Sequence, residues 1–260
     1  MDAIQPMDMK IICGLNYTSI IKPNPNTVLQ KEENYKKNIV EIINKFKDLP
    51  NLFAWKINDE VSYYYNEDLR NMSLTIHELD PNHLTCSCIM PFGEMPYLLN
   101  TTDIITVDNY PLPQFSIRTV HYLNGKESEQ PLGKPFIGMN QIYDTSIIYD
   151  DIKSTKPNPP TLQEMKSMSW QNLVLGAKGL IFHSLYEIML LDEITPVEDR
   201  WKDIIEFTDE IWKYKDVILS IDKVHKIEYV QNNNVTFKQC KYNNSNYIAI
   251  VNLERILLNL

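Results

Sequence analysis

The feature that most constrains the fold is a regular alternation of short apolar runs with longer amphipathic stretches. Six apolar runs begin near residues 9, 52, 84, 103, 135 and 179. The stretches between them carry apolar residues at helical spacing, as Ile39, Ile43 and Phe46 show. Strand–helix alternation of this kind is typical of a parallel α/β protein. The rhythm is loosely that of a (β/α)8 TIM barrel, in which about 250 residues give a strand roughly every 31 residues.

The six strand candidates read MKIIC, LFAWKI, LTCSCIM, DIITV, PFIGM and GLIFH. Helices are predicted over 24–46, 67–79, 116–123, 161–175 and 196–219. The fourth of these begins with a capping box from Thr161 to Glu164. After Leu219 the pattern changes to short β segments at 226–230, 235–241 and 247–252, separated by Asn-rich turns. We therefore expect a partial barrel over 1–222 and the beginning of a C-terminal antiparallel β domain over 223–260.

Composition excludes several classes of function. The net charge of −9 argues against nucleic acid, because phosphate binding needs clustered Lys and Arg. No run approaches the roughly 20 apolar residues of a membrane span, and MDAIQPMDMK shows no signal peptide. The four cysteines have no metal-ligand spacing and are interpreted as free thiols, so neither a metal nor a cofactor is predicted. Localisation and oligomeric state stay open. Five Asn-X-Ser/Thr sequons weakly favour a secreted or lysosomal full-length protein.

Polar and aromatic side chains follow four of the predicted strands. In a parallel barrel the working residues lie just past the carboxyl ends of the strands, so we expect these side chains to share one pocket. Aromatic rings can stack on a sugar ring while carboxylates and amides bind its hydroxyls, so a carbohydrate partner is predicted. The candidate residues are Asn58, Asp59, Glu60, Asp108, Tyr110, Gln141 and Tyr143, with Trp55 inside its strand.

Several longer segments occur in a characteristic order: LFAWKINDEV, ELDPNH, DIITVDNYP, KPFIGMNQ and PTLQEMKSMSWQNLVLGAKGLIFHS. The series resembles a loosely characterised group of (β/α)8 glycoside-hydrolase-like proteins, related to the retaining glycosidases whose acid/base Glu follows strand 4. The resemblance runs from Met9 to the last helix, and the part after Lys223 resembles the β-sandwich often attached behind such barrels. It implies that the six runs are strands 3 to 8. Because strands 1 and 2 have no counterpart, we expect a truncated chain, a domain excerpt or a degenerate copy.

The resemblance also implies roles for single residues. Glu60 takes the position of the catalytic acid/base. Asp59 stands where an Asn usually binds a sugar hydroxyl. Gln141 stands where the retaining families place a nucleophilic Glu, and an amide cannot serve as the nucleophile. The ordinary double-displacement mechanism therefore does not follow from the resemblance.

Each of these residues also has a structural interpretation. Glu60 could be a carboxylate at a helix start, and Asp59 an N-cap or a group that orients an acetamido substituent. Asp108 could bind a hydroxyl, activate water or cap a turn. Gln141 could be a ligand-binding or a buried structural amide, and Trp55 is more often a core residue.

Two further strand-end residues, His183 and Glu187, are interpreted as an inner-barrel histidine and a loop charge. Three hypotheses for function remain. The first is a glycoside hydrolase acting on a neutral oligosaccharide or glycan, with Glu60 as acid/base and Asp59 and Asp108 as supporting carboxylates. The second is a catalytically inactive carbohydrate-binding barrel. The third is a non-functional fragment.

Overall fold

The structure is a computed structural model that describes residues 10–15, 28–90, 95–128, 135–147, 158–220 and 234–254. The predicted strand at 226–230 and the segment 1–6 lie outside the described residues. So do residues 24–27, with which the first predicted helix was expected to begin.

All six predicted strands are present. They are β1 (Ile11–Gly14), β2 (Leu52–Asp59), β3 (Leu84–Ile89), β4 (Ile104–Asn109), β5 (Phe136–Gln141) and β6 (Gly179–His183). The strands run parallel and follow one another in the sheet in chain order. Parallel neighbours require a crossover connection, and the amphipathic stretches between the strands supply it. The prediction of a TIM-like α/β fold is confirmed at this level.

The connections contain eight helices among the described residues: α1 (Val28–Phe46), α2 (Asn66–Leu79), α3 (Met95–Leu98), α4 (Arg118–Ser128), α5 (Leu162–Val174), α6 (Leu185–Leu190), α7 (Val197–Lys213) and α8 (Lys215–Leu219). The long helix predicted over 196–219 is divided in two. Its interruption falls at Tyr214, whose φ of −109° and ψ of 7° leave the helical region. The Tyr214 N–H bonds to the carbonyl of Ile211, a tightened last turn that ends α7.

The capping box at the start of α5 is confirmed. Thr161 Oγ1 accepts a hydrogen bond from the Glu164 N–H at 3.3 Å, and Glu164 Oε2 accepts one from the Thr161 N–H at 2.8 Å. Two backbone donors that a helix start leaves without partners are thereby satisfied. The helix that follows is buried along much of its length, including Met165 and Met168.

The chain divides into two compact units, the first comprising 1–106 with 132–135 and the second 107–131 with 136–260. In the first unit the two faces of β2 carry different residues. Trp55 and its register partner Thr85 face α2, because Thr85 Oγ1 lies 2.8 Å from Ser73 Oγ on that helix. Lys56 pairs in register with Cys86 on the other face. Trp55 and Cys86 are both buried, so the β2–β3 pair is covered on both faces, as parallel strands usually are.

In the second unit α5 packs closely on β5. A Cβ atom at Gly138 would lie 2.5 Å from Cγ of Asn172, so only glycine allows this approach. The Asn172 side chain donates to Asn140 Oδ1 at 3.0 Å and accepts from Asn124 at 2.7 Å. This buried amide network ties α4, α5 and β5 together.

An antiparallel hairpin follows the last helix, formed by β7 (Val235–Tyr242) and β8 (Ser245–Asn252). Its two-residue turn is Asn243–Asn244, with φ of 48° and 61°, as a type I′ turn requires. The hairpin is fixed to α5 by a 2.6 Å bond from Ser167 Oγ to the carbonyl of Asn252. The change to antiparallel strands is confirmed, while the separate β-sandwich stays a prediction.

No helix in the described part of the chain is long and apolar enough to cross a bilayer. All four cysteines, Cys13, Cys86, Cys88 and Cys240, are free thiols.

The acid sensitivity of the first unit is predicted to depend on Asp80. Burial alone would raise the pKa of this carboxyl, but hydrogen bonds from Trp55, His83 and the Asn82 N–H lower it below its ordinary value. An acid whose pKa is depressed by folding stabilises the fold above its unfolded pKa of about 3.9, and this contribution is lost as the pH falls through the folded pKa. Urea unfolding should show that Asp80→Asn lowers the free energy of unfolding at pH 7. The further decrease of this free energy below pH 4 should be smaller in the variant than in the wild type.

The exposed Asp209 of α7 provides the control, since Asp209→Asn should leave both values unchanged. An Asp80→Asn variant that loses as much stability on acidification as the wild type would contradict this assignment.

Candidate active site

Glu60 directly follows β2 and has an unusual backbone conformation. Its φ is 53°, in the left-handed region, and its side chain is exposed. The Glu60 N–H donates to the carbonyl of Cys88 at 3.0 Å, which extends the β2–β3 pairing past the strand end. For a residue other than glycine this conformation costs about 1 kcal/mol, and such outliers cluster at functional sites.

The two residues before Glu60 differ sharply in their surroundings. Asp59 is exposed and accepts a 2.5 Å hydrogen bond from Lys56 Nζ. Asn58 is only 2% exposed, and neither atom of its amide group has a hydrogen-bond partner among the described residues. A buried polar atom without a partner costs on the order of 1–3 kcal/mol. A hydroxyl-bearing ligand or a water molecule at this position would remove that cost.

The local path of β2 explains this arrangement. The register of the β2–β3 pair shifts between Lys56 and Asn58, which leaves Ile57 as an extra residue on β2. Bulges of this kind bend a strand and redirect its side chains, often next to active sites. Lys56 itself is half-buried. Burial alone would lower its pKa, but the hydrogen bond with Asp59 and the nearby Cys88 and Cys86 outweigh that effect and raise the pKa.

In the second unit, Asp108 and Tyr110 lie at the carboxyl end of β4. Asp108 is buried, whereas Tyr110 is half-buried with its hydroxyl 2.8 Å from the sulfur of Met139. Between them, Asn109 Nδ2 donates to the carbonyl of Thr119 at 3.2 Å, which fixes the strand end to the start of α4.

Gln141, the last residue of β5, is completely buried, with 0% of its surface exposed. Its Nε2 donates to the carbonyls of Leu112 at 2.6 Å and Tyr143 at 2.7 Å, and its Oε1 accepts from the Leu112 N–H at 2.9 Å. Both donors and one acceptor site of the amide are therefore used by the backbone. The side chain holds the loop after β4 against the end of β5.

An aromatic cluster occupies the ends of β4, β5 and β6. The rings of Tyr110 and His183 are stacked with their centroids 5.3 Å apart, and the buried Tyr143 meets both edge-on at 5.8 and 5.7 Å. The His183 side chain is 38% exposed, and its Nε2 lies 3.8 Å from Oε1 of Glu187. The other Glu187 oxygen, Oε2, is buried without a hydrogen-bond partner in the described structure.

Trp55 lies within β2 and not at its carboxyl end. It is fully buried, and its indole N–H donates to Asp80 Oδ2 at 2.8 Å. In this conformation the ring has no surface on which a sugar could stack.

Sequence reasoning gave no role to three residues of the strand ends: Lys56, His183 and Glu187. Lys56 is a charged residue within an otherwise apolar strand, and that exception was a usable signal. The i,i+4 spacing of His183 and Glu187 predicted a contact only if a helix began directly after the strand, as α6 does. No group of three or more His, Cys, Asp or Glu residues among those described could hold a metal ion.

Comparison with known proteins places this geometry in a fold class. No protein-family model and no curated protein matches the sequence. A solved structure assigned as an α-L-fucosidase from Bacteroides thetaiotaomicron is similar, with a TM-score of 0.52, 9% identity, and coverage of 68% of this chain and 63% of the other. A glycoside hydrolase family 5 mannosidase from Rhizomucor miehei has a TM-score of 0.49 and 14% identity, with coverage of 72% of this chain and 61% of the other. A β-glucuronidase from Bacteroides uniformis has a TM-score of 0.46 and 12% identity, with coverage of 64% of this chain and 22% of the other.

The first of these similarities shows that the chain shares the α/β fold of that structure. At such low identities the likeness extends to the fold alone. The chain spans less than two thirds of the length of each of these three proteins.

Restoring a carboxylate at position 141 should destabilise the protein. Gln141→Glu removes two donors and places a charge at a site with no exposed surface. The Tyr143 carbonyl loses its Gln141 partner, and the Leu112 carbonyl keeps only the hydroxyl of Thr145 at 2.8 Å. The expected loss is about 2–5 kcal/mol in the free energy of unfolding. Chemical denaturation at pH 7 measures it.

Gln114→Glu is the matched control, because this exposed glutamine in the same loop serves only as an acceptor for Thr145 Oγ1. Equal stabilities of the two variants would show that the buried amide is not required as a donor.

Proposed function

We propose that this chain is the catalytic part of a glycoside hydrolase that acts on a neutral oligosaccharide or glycan, with Glu60 as the general acid/base. The observation that carries the proposal is the placement of Glu60. It follows a parallel strand directly, its side chain is open to solvent, and its backbone adopts a conformation that glutamate rarely takes. Strand ends are where barrel enzymes keep their working residues, and strained backbones persist where function selects them.

The chemistry required of Glu60 is proton transfer. Its carboxylic acid gives a proton to the glycosidic oxygen as the bond to the anomeric carbon breaks, which spares the leaving group a negative charge. Asp59, held by Lys56, is proposed to accept a hydrogen bond from a sugar hydroxyl. The unsatisfied amide of Asn58 is proposed as a second group for binding a hydroxyl.

A second group must supply the nucleophile. Gln141 cannot, because an amide forms no glycosyl ester and this one is already bound to the backbone. We propose instead that Asp108 acts as a base: it takes a proton from water while the water oxygen bonds to the anomeric carbon. This step inverts the anomeric configuration. Tyr110 is proposed to stack on the sugar, and Tyr143, Trp55 and Gln141 to support the site.

A catalytically inactive carbohydrate-binding barrel is the alternative, and the Gln141 geometry favours it. A locked amide in place of a nucleophile suits a site that keeps its sugar contacts and has lost turnover. In that case a glycan should bind without being cleaved.

Hydrolysis of a panel of aryl glycosides tests the proposal. Glu60→Gln keeps the size of the side chain but removes its acid, so kcat/KM should fall by about 100-fold or more. Glu67→Gln is the control, because Glu67 is exposed in the first turn of α2 and should not affect turnover. If Glu60→Gln and Glu67→Gln lowered kcat/KM to the same extent, or if neither lowered it, the role of Glu60 would be refuted.

Proton NMR of the released sugar reports whether the anomeric configuration is inverted. Wild-type protein that binds glycans in calorimetry but cleaves none would establish the alternative. A cooperative thermal transition would exclude the third hypothesis, a fragment that cannot fold.

A further inference from the structure

A concave site that contains none of the strand-end residues lies entirely within the second unit. It is a cavity of about 310 Å³ bounded by α5, by the junction of α7 with α8, and by the β7–β8 hairpin. None of the candidate catalytic residues lines it. Its volume is at the lower end of the range of small-molecule sites, which is about 300–1,000 Å³.

The cavity walls are mainly apolar and aromatic. Trp170 and Tyr214 contribute rings whose centroids are 6.2 Å apart in an edge-on arrangement. The hairpin contributes Lys238 and its register partner Ala249, and Cys240 and its partner Tyr247, to the lining. Flat rings on two sides suit a ligand with an aromatic or short aliphatic body.

The two charged residues that line the cavity differ in whether they are paired. Glu210 is its one carboxylate, and both of its oxygens are engaged, one by Lys166 at 2.9 Å and the other by the Trp170 N–H at 3.2 Å. Lys238 is its one cation. Within the described residues it has no carboxylate partner, and its sole hydrogen bond is a long one of 3.4 Å to the carbonyl of Leu173.

The surroundings of Lys238 penalise its charge. Burial, followed by the nearby Lys178, lowers the pKa of its ammonium group. Lys178 gives no relief, since its own Nζ is bound to the carbonyls of Ile218 and Ser220. A bound anion would satisfy Lys238 and reverse this effect.

We propose that this cavity binds a small monocarboxylate with an apolar body, its carboxylate on Lys238 and its body between Trp170, Tyr214 and Tyr247. A single ammonium group matches one negative charge, whereas a phosphate would meet only this one donor cation and the nearby carboxylate of Glu210. The cavity volume of about 310 Å³ fits a molecule the size of a phenylalkanoic acid. The site is separate from the proposed hydrolase function.

Isothermal titration calorimetry with 4-phenylbutyrate and with its uncharged analogue 4-phenyl-1-butanol tests the proposal. The acid should bind at least about tenfold more tightly than the alcohol, a difference of about 1.4 kcal/mol. Lys238→Met should abolish this preference, while Lys241→Met, a change at an exposed lysine of the same strand, should preserve it. Affinity for the acid should fall as the pH rises through the pKa of Lys238, because the ammonium group then loses its charge.

A second variant separates binding from folding. Ala249→Trp fills the cavity while Lys238 keeps its charge, so it should prevent binding of both compounds, and a thermal transition like that of the wild type would show that it folds. Equal affinities of wild-type protein for the acid and the alcohol would overturn the proposal, as would binding of neither. The assay does not depend on turnover, so its result is independent of the hydrolase test.

Discussion

Burial of a parallel sheet on both faces is the constraint on which the rest of this structure depends. A sheet of this kind leaves no solvated face on which polar residues can alternate, so its strands are mainly apolar, and function moves to the strand ends. In β2 this division is visible within eight residues. Trp55 packs against α2, and the bulge at Ile57 interrupts the β2–β3 pairing. Glu60 follows the strand and is exposed to solvent. The position of the candidate acid is thus a consequence of how the strand ends.

The strand ends differ in how far the protein satisfies its own polar groups. Glu60 is exposed, and Asn58 is buried with no hydrogen-bond partner for its amide in the described part of the chain, so an interaction with a ligand would satisfy that amide. Gln141 is the opposite case, because the backbone of Leu112 and Tyr143 already saturates its donors. A residue that is fully occupied in the folded state contributes rigidity, and one that is unsatisfied is available for binding. This difference supports the proposal of a working site at the end of β2 and of a supporting role for Gln141 at the end of β5.

Sequence patterns predicted the parts of the fold that depend on neighbours in the chain. Apolar runs gave the six strands, and the Thr161–Glu164 spacing gave the start of α5, since both signals are local. The patterns could not give the left-handed backbone of Glu60, because it is fixed by a hydrogen bond to Cys88 on another strand. Nor could they choose between the two interpretations of Gln141, whose partner Leu112 lies 29 residues earlier in the chain. The break in the last helix at Tyr214 was also not predicted, because no helix-breaking residue marks it in the sequence.

Charge separates the two sites chemically. The end of β2 exposes carboxylates, with Asp59 compensated by Lys56 and Glu60 uncompensated among the described contacts, and this balance supports the proposal of a neutral sugar over an acidic one. The cavity beside the hairpin has the reverse balance, because Glu210 is neutralised by Lys166 while Lys238 has no counter-charge among the residues that the structure describes. In a protein with a net charge of −9, a half-buried lysine without an acidic partner is an exception that packing alone does not require. An apolar residue such as Met would fill the same space without the cost of desolvating an ammonium group, and that cost is what an anionic ligand would offset.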